Sequence, residues 1–209
     1  MALKQESKLI QSHISEVRSG KSAAYEQLYN VHAGRIYTFG LKFFNHSKYG
    51  AEELTKRVFI TAFEQINSYP QNITFILWLQ KFAVEELRKG DIQKGDEIHQ
   101  VSPVDEAVFL LPEEERIIFI LSDIEKLNTE EMVEVVPEPV ESISAKLDSA
   151  RKRMLEKLNV NNLTELDYKV NFVSKKPEPR DELWDIIYNH IHFFATKDLK
   201  EDTAGEVLN

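Results

Sequence analysis

Apolar residues recur at three- and four-residue steps along most of this chain, and little of it alternates, so the pattern predicts helices. The spacing is most regular over 110–158. Ile117, Ile120, Leu121 and Ile124 share one face of a helix started by Pro112 and three glutamates. Asn128, with Glu131 three residues on, forms a capping box for a second helix that turns Met132, Val135 and Val136 inward and ends at Pro137. The turn is Pro137-Glu138-Pro139. Beyond it Val140, Ile143, Leu147, Ala150, Met154 and Leu158 keep the spacing for about five turns, and this order of elements is a helix-turn-helix.

Upstream, Ile10, Ile14 and Val17 predict a short helix stopped by Gly20, with Ser22 placed to cap the next. Leu28, His32, Ile36, Phe39 and Phe43 line a longer one, in which His32 reads as a core or boundary residue. A helix over 51–66 turns Leu54, Val58, Ala62 and Ile66 inward, with Phe59 and Phe63 widening its apolar face. The loop 67–72 then leads to a helix that groups Trp78, Leu79, Phe82 and Ala83. Lys89 to Pro103 has no apolar period and reads as a flexible linker. Residues 161–178 look mixed, with 171–179 as a short extended segment and linker. Asp181 can cap a final helix in which Leu183, Trp184, Ile187, Tyr188, Ile191 and Phe194 or Ala195 form a broad apolar stripe. Such a stripe either packs on the protein's own helices or docks a partner through Trp184, Ile187, Tyr188 and Ile191. From Lys197 onward the chain reads as frayed or disordered.

The expectation is an all-α protein: a helical domain over 1–90, a linker over 91–103, a helix-turn-helix domain over 104–160 and a C-terminal extension over 161–209. A length of 209 residues with 42% hydrophobic positions suits two cores. There is no cysteine, so disulfides and thiolate metal sites are excluded. The six histidines are scattered, and His190 and His192 diverge on a helix, so no metal or other cofactor is expected. No apolar run, Phe75 to Leu79 included, exceeds five residues, too few to span a bilayer, and a cytoplasmic location is expected. The net charge is −9, and residues 104–138 carry eleven acids against two bases, so the imbalance sits in one stretch.

The stretch Leu111-Pro112-Glu113-Glu114-Glu115-Arg116, followed by Asp123-Ile124-Glu125, Glu130-Glu131-Met132, Leu147 and Ala150-Arg151, closely resembles the promoter-reading domain of bacterial sigma factors of the extracytoplasmic-function class. Residues 20–44 resemble the opening of the same family's N-terminal domain, and the likeness runs over 8–158. It implies a region 2-like bundle and a region 4-like helix-turn-helix, no catalysis, and no small-molecule substrate. The implied partners are core RNA polymerase, through its β′ coiled coil and β flap, and promoter DNA.

By that resemblance Glu52, Glu53, Thr55, Lys56 and Phe59 face the β′ coiled coil, although Lys56 and Arg57 stand where the family commonly has glutamine and glutamate. Tyr69, Asn72, Phe75, Trp78 and Lys81 would meet the minus-ten element by stacking and phosphate contact. There Ile76 and Glu85 replace the usual arginine and asparagine, and Trp78 by itself fits a core as well as a DNA platform. Ser142, Ser144, Lys146, Ser149, Arg151 and Lys152 would meet the minus-35 element. The face opposite the apolar spine of that helix also carries Glu141 and Asp148, so promoter contacts are expected to be eroded. Two readings follow: a polymerase recruiter whose promoter choice is weak or delegated to an RNA-guided or other DNA-targeting partner, and a sigma mimic that binds an anti-sigma factor or other regulator without engaging DNA.

Overall fold

The computed structural model describes residues 2–93, 95, 101–171 and 177–192. Every regular element among them is helical, and none of these helices is long and apolar enough to cross a membrane.

Helix α1 (Ala2–Arg18) buries Ile10, Ile14 and Val17 against α2 (Ser22–Phe43), and the chain turns between them at Gly20, whose φ of +81° suits glycine. Ser22 does not cap α2. It is the first helical residue, and the cap position belongs to Lys21, which contributes no side-chain hydrogen bond. Helix α2 packs closely on α3 (Lys48–Glu64): a Cβ on Gly40 would stand 2.8 Å from Ala51 Cα, so glycine sets the spacing of the two backbones. Ser47 caps α3 by accepting from Gly50 N at 3.2 Å. Helix α4 (Phe75–Lys89) is capped by Thr74 and ends at Gly90 in the left-handed conformation.

A short helix that hydrophobic spacing did not reveal, α5 (Pro103–Phe109), opens the second half. Ser102 caps it, accepting from Asp105 N at 3.1 Å. Helix α6 (Glu113–Phe119) does not run on evenly to Ile124: residues Ile120–Ile124 form one wide turn, with Glu125 N donating to Ile120 O at 2.8 Å. The widened turn leaves Ile120 and Leu121 both buried. Helix α7 (Thr129–Val135) has the expected reciprocal capping box between Asn128 and Glu131, and α8 (Val140–Leu158) follows the Pro137–Pro139 turn with Ile143, Ala150 and Met154 buried.

The region read as mixed and extended is in part a helix, α9 (Leu163–Asn171). Asn162 accepts from Glu165 N at 3.0 Å, while Glu165 reaches back to Asn161 N at 2.9 Å, and Leu166 and Val170 enter the core. Residues 172–176 lie outside the described residues. The last helix, α10, covers 182–192, and the tail expected to be frayed from Lys197 also lies outside them. One apolar core runs without a break from α1 through α8 and includes Leu183 and Ile187 of α10.

Candidate functional site

Helix α3 has two faces with different roles. Thr55 and Phe59 are fully buried; the Thr55 hydroxyl donates to Ala51 O at 2.7 Å, and the Phe59 ring meets Tyr29 edge-on at 5.0 Å. Neither side chain can reach a partner. The sequence set for this face therefore reduces to Glu52, Glu53 and Lys56, because Thr55 and Phe59 fall on the stripe shared with Ala51, Val58 and Ala62. Glu53 accepts from Lys56 at 2.5 Å and from Arg57 at 2.9 Å, and Arg57 continues to Asp91 at 2.7 Å. Burial pushes the Glu53 carboxyl up, but these two cations hold it below its ordinary value.

The aromatic residues expected to stack on unpaired bases are core residues instead. Tyr69, Phe75 and Trp78 are buried in a chain of ring contacts, with Tyr69 5.6 Å from Phe75 and 5.2 Å from Trp78, and Trp78 4.8 Å from Phe82. The Tyr69 hydroxyl donates to Ile73 O at 2.6 Å. Of that set only Asn72 is exposed, and Lys81 is half-buried. Beside the loop lies a cleft of about 490 Å³ lined by His32, Arg35, Asn72 and Ile76, with Glu131 of α7 on its wall. His32 is pulled down to about 4 by burial and then by neighbouring Arg35, so it is neutral at physiological pH and fits the core-or-boundary reading.

Helix α8 turns five of its polar side chains to acids of its own chain. Ser142 donates to Glu138 at 2.7 Å, Lys146 reaches both Glu138 oxygens at 2.7 and 2.8 Å, and Ser149 donates to Glu115 at 3.0 Å. Arg151 meets Asp123 at 3.2 Å and Arg153 meets Glu115 at 3.1 Å. Burial pushes the Glu138 carboxyl up, but Lys146, Ser142 and Arg88 outweigh it and hold it at about 2. Ser144 and Lys152 remain exposed, together with Glu141, Ala145 and Asp148. Four of the six residues expected at the minus-35 element thus have carboxylate partners within the chain. The acidic run 104–138 supplies those partners; its coincidence with a cation-bearing helix was the signal available in the sequence.

The same run ties the two halves together. Arg88 at the end of α4 donates to both Glu114 oxygens at 3.1 and 2.7 Å and also pairs with Glu138. Glu125 receives Arg35 and, at 3.1 Å, Gln80. Asp105 receives Lys42, and His46 Nε2 lies 2.9 Å from its other oxygen. Arg116 is buried, donates to Phe43 O at 3.0 Å and Leu111 O at 2.9 Å, and stacks on the Phe43 and Phe109 rings.

Helix α10 lies against α2 and α3. Leu183 and Ile187 are buried, while Trp184, Tyr188 and Ile191 are half-buried. The Trp184 ring stands 5.1 Å from Tyr29 and 5.5 Å from Tyr188. Arg180 pairs with Glu52 at 2.9 Å and His190 contacts Glu64 at 3.4 Å. Of the two positions open to this stripe, the protein here adopts the self-packed one.

No family model matches the chain, and no curated protein is similar to it in sequence. Solved structures are similar in fold. CnrH, in complex with the cytosolic domain of CnrY, superposes with a TM-score of 0.58 at 15% identity over 74% of this chain and 99% of that one. The sigma factor RpoE, in complex with the anti-sigma factor NepR from Bartonella quintana, superposes with a TM-score of 0.56 at 19% identity over 66% of this chain and 98% of that one. From its helix order, its helix-turn-helix and these superpositions, the chain has the fold of an extracytoplasmic-function sigma factor.

Proposed function

We propose that this protein recruits core RNA polymerase for transcription initiation through the charged edge of α3, and that it contributes little promoter reading of its own. The observation that carries the second half is the state of α8: Lys146, Arg151 and Arg153 are each engaged by an acid of the same chain, while Glu141 and Asp148 are exposed on the face a duplex would meet. Each cation withheld from phosphate removes about 0.9 from the salt slope of duplex binding, and each exposed acid adds repulsion. Promoter choice then falls to a DNA-targeting partner. On α3, Glu53, Lys56 and Arg57 form a paired charged surface ready for a complementary helix.

The test is the affinity of the full chain for an isolated β′ coiled-coil fragment. Swapping the charges, Glu53→Lys with Lys56→Glu, keeps an opposite-sign pair on α3 but reverses its order, and should weaken the complex at least 10-fold. Equal affinity before and after the swap would sink the α3 docking reading.

A second reading is favoured by one specific observation: the structurally similar CnrH and RpoE are both seen bound to a protein partner, an anti-sigma factor in the case of RpoE. A sigma mimic would bind such a regulator with cations of its recognition helix neutralised, as Lys146, Arg151 and Arg153 are here. Capture of an anti-sigma factor with no polymerase binding would select this reading over recruitment.

A further inference from the structure

The contacts of α10 fix how it lies. Along α3 they begin with Arg180 on Glu52 and end with His190 on Glu64, so α10 runs parallel to α3 over about three turns. Along α2 the order is reversed: the Glu178 carboxylate sits over Gly34, where a Cβ would come within 2.7 Å of it, and Trp184 stacks on Tyr29. The segment 177–192, helical from residue 182, therefore lies along the groove between α2 and α3, antiparallel to the first and parallel to the second.

This seat is imperfectly satisfied. Tyr29 is 5% exposed, and its hydroxyl has no hydrogen-bond partner among the described residues, in a surround that includes Glu52, Glu178 and Asp181. A buried hydroxyl left unpaired opposes the docked state, because leaving the groove returns it to water. Among the described residues α10 sets four apolar side chains against the core, Leu183, Trp184, Ile187 and Ile191; only Leu183 and Ile187 are fully enclosed, and Ile186 is exposed. The rim pairs are exposed on at least one side: the Arg180 side chain is 57% accessible. Among its described residues α10 is held by two enclosed side chains, the Trp184–Tyr29 ring contact and ion pairs open to solvent, a small hold for a helix of this length.

We propose that residues 177–192 are an internal occupant of the α2/α3 groove that competes for it with a partner's amphipathic helix. The groove defines that helix: a basic residue to meet Glu52, then apolar residues at the spacing of Leu183, Ile187 and Ile191. Combined with the function proposed above, on which this identification rests, the competing helix belongs to the β′ coiled coil, and the protein masks its own polymerase-docking edge at Glu52.

The experiment uses the full chain with a protease site placed within 172–176, before and after cleavage, beside a full-length Leu183→Glu, Ile187→Glu variant. The probes are a fluorescent peptide of residues 177–192 and the isolated β′ coiled-coil fragment. The peptide should bind the double variant at least 10-fold tighter than the uncut chain. The fragment should bind the cut chain and the double variant at least 10-fold tighter than the uncut chain, and excess peptide should reverse the gain. Should the double variant misfold, the cut chain carries every native side chain and decides the matter alone. Fragment binding that is equal in cut and uncut chains and indifferent to peptide overturns the masking while leaving recruitment intact. Absence of fragment binding to every form, with the peptide still bound, instead refutes polymerase as the competing partner. A peptide that binds neither the cut chain nor the double variant overturns the groove as a seat.

Discussion

Replacing Arg116 by methionine should destabilise the protein by about 2–4 kcal/mol, because this guanidinium joins the two helical halves through buried bonds to main-chain carbonyls. Arg116 is 5% exposed, donates to Phe43 O at the carboxyl end of α2 and to Leu111 O, and is flanked by Phe43 and Phe109 at 4.9 and 4.7 Å from its central carbon. Two hydrogen bonds from a charged donor contribute roughly 3–6 kcal/mol before correction, and the ring contacts add about 1 kcal/mol or more. Against this stands the desolvation of a buried cation, several kcal/mol, which also lowers the pKa of the group. Methionine removes the desolvation cost and fills the volume, but leaves two carbonyls without a donor at about 1–3 kcal/mol each. For a chain of this length a loss of 2–4 kcal/mol corresponds to a fall in Tm of about 4–16 °C.

Urea denaturation followed by two probes tests both the size and the mechanism. Tryptophan fluorescence reports on α4 and α10 through Trp78 and Trp184, while far-UV circular dichroism weights all helices. With the native protein the two curves should coincide, and in Arg116→Met they should separate, the α5–α8 half losing structure first. Arg116→Lys keeps the charge as a point donor and should recover less than half the loss. A methionine variant within about 0.5 kcal/mol of the native protein, with coincident curves, would refute the assignment of Arg116 as a link between the halves.

Gly40→Ala, a change that in an exposed helix gains about 0.5–1 kcal/mol, should instead cost about 1–3 kcal/mol, since the new methyl would meet Ala51 Cα at 2.8 Å; a raised urea midpoint would show that α2 and α3 are not in close contact there. Glu138 is held at about 2 in the folded state, below its unfolded value near 4.3. Its contribution to stability is therefore complete above about pH 4.3 and is lost as pH falls toward 2. Glu138→Gln should flatten the fall of Tm over that window, and parallel Tm profiles for the two proteins would show that its carboxylate is not acting as drawn. Glu141→Arg with Asp148→Arg, both on the exposed face of α8, should raise duplex DNA affinity and steepen its salt dependence by about 1.8. Fluorescence anisotropy across a salt series reads this, and an unchanged slope in a folded double variant would mean that the face never approaches DNA.

What the sequence settled about this protein is local. The capping box at Asn128, the stop at Gly20, the Pro137–Pro139 turn and the inward stripes of α2, α4 and α8 are each written within four residues of where they act, so spacing and side-chain type suffice. Where spacing was thin, at seven-residue α5 and nine-residue α9, the capping residues Ser102 and Asn162 were the remaining signal. The partners of the candidate site residues were beyond such reasoning. Whether Trp78 stacks on a base or on Phe82, and whether Lys146 meets phosphate or Glu138, depends on which side chains far along the chain arrive beside them. A charge on a helix face has the same spacing whether its partner is solvent, a ligand or a carboxylate of the same protein. Only the tertiary structure pairs Arg88 with Glu114 and Arg180 with Glu52, because those bonds join residues brought together by the packing of helices and not by their order. It also decided that the aromatic stripe of α10 covers the α2/α3 groove, since burial of an apolar face specifies that it must be covered and leaves open by what.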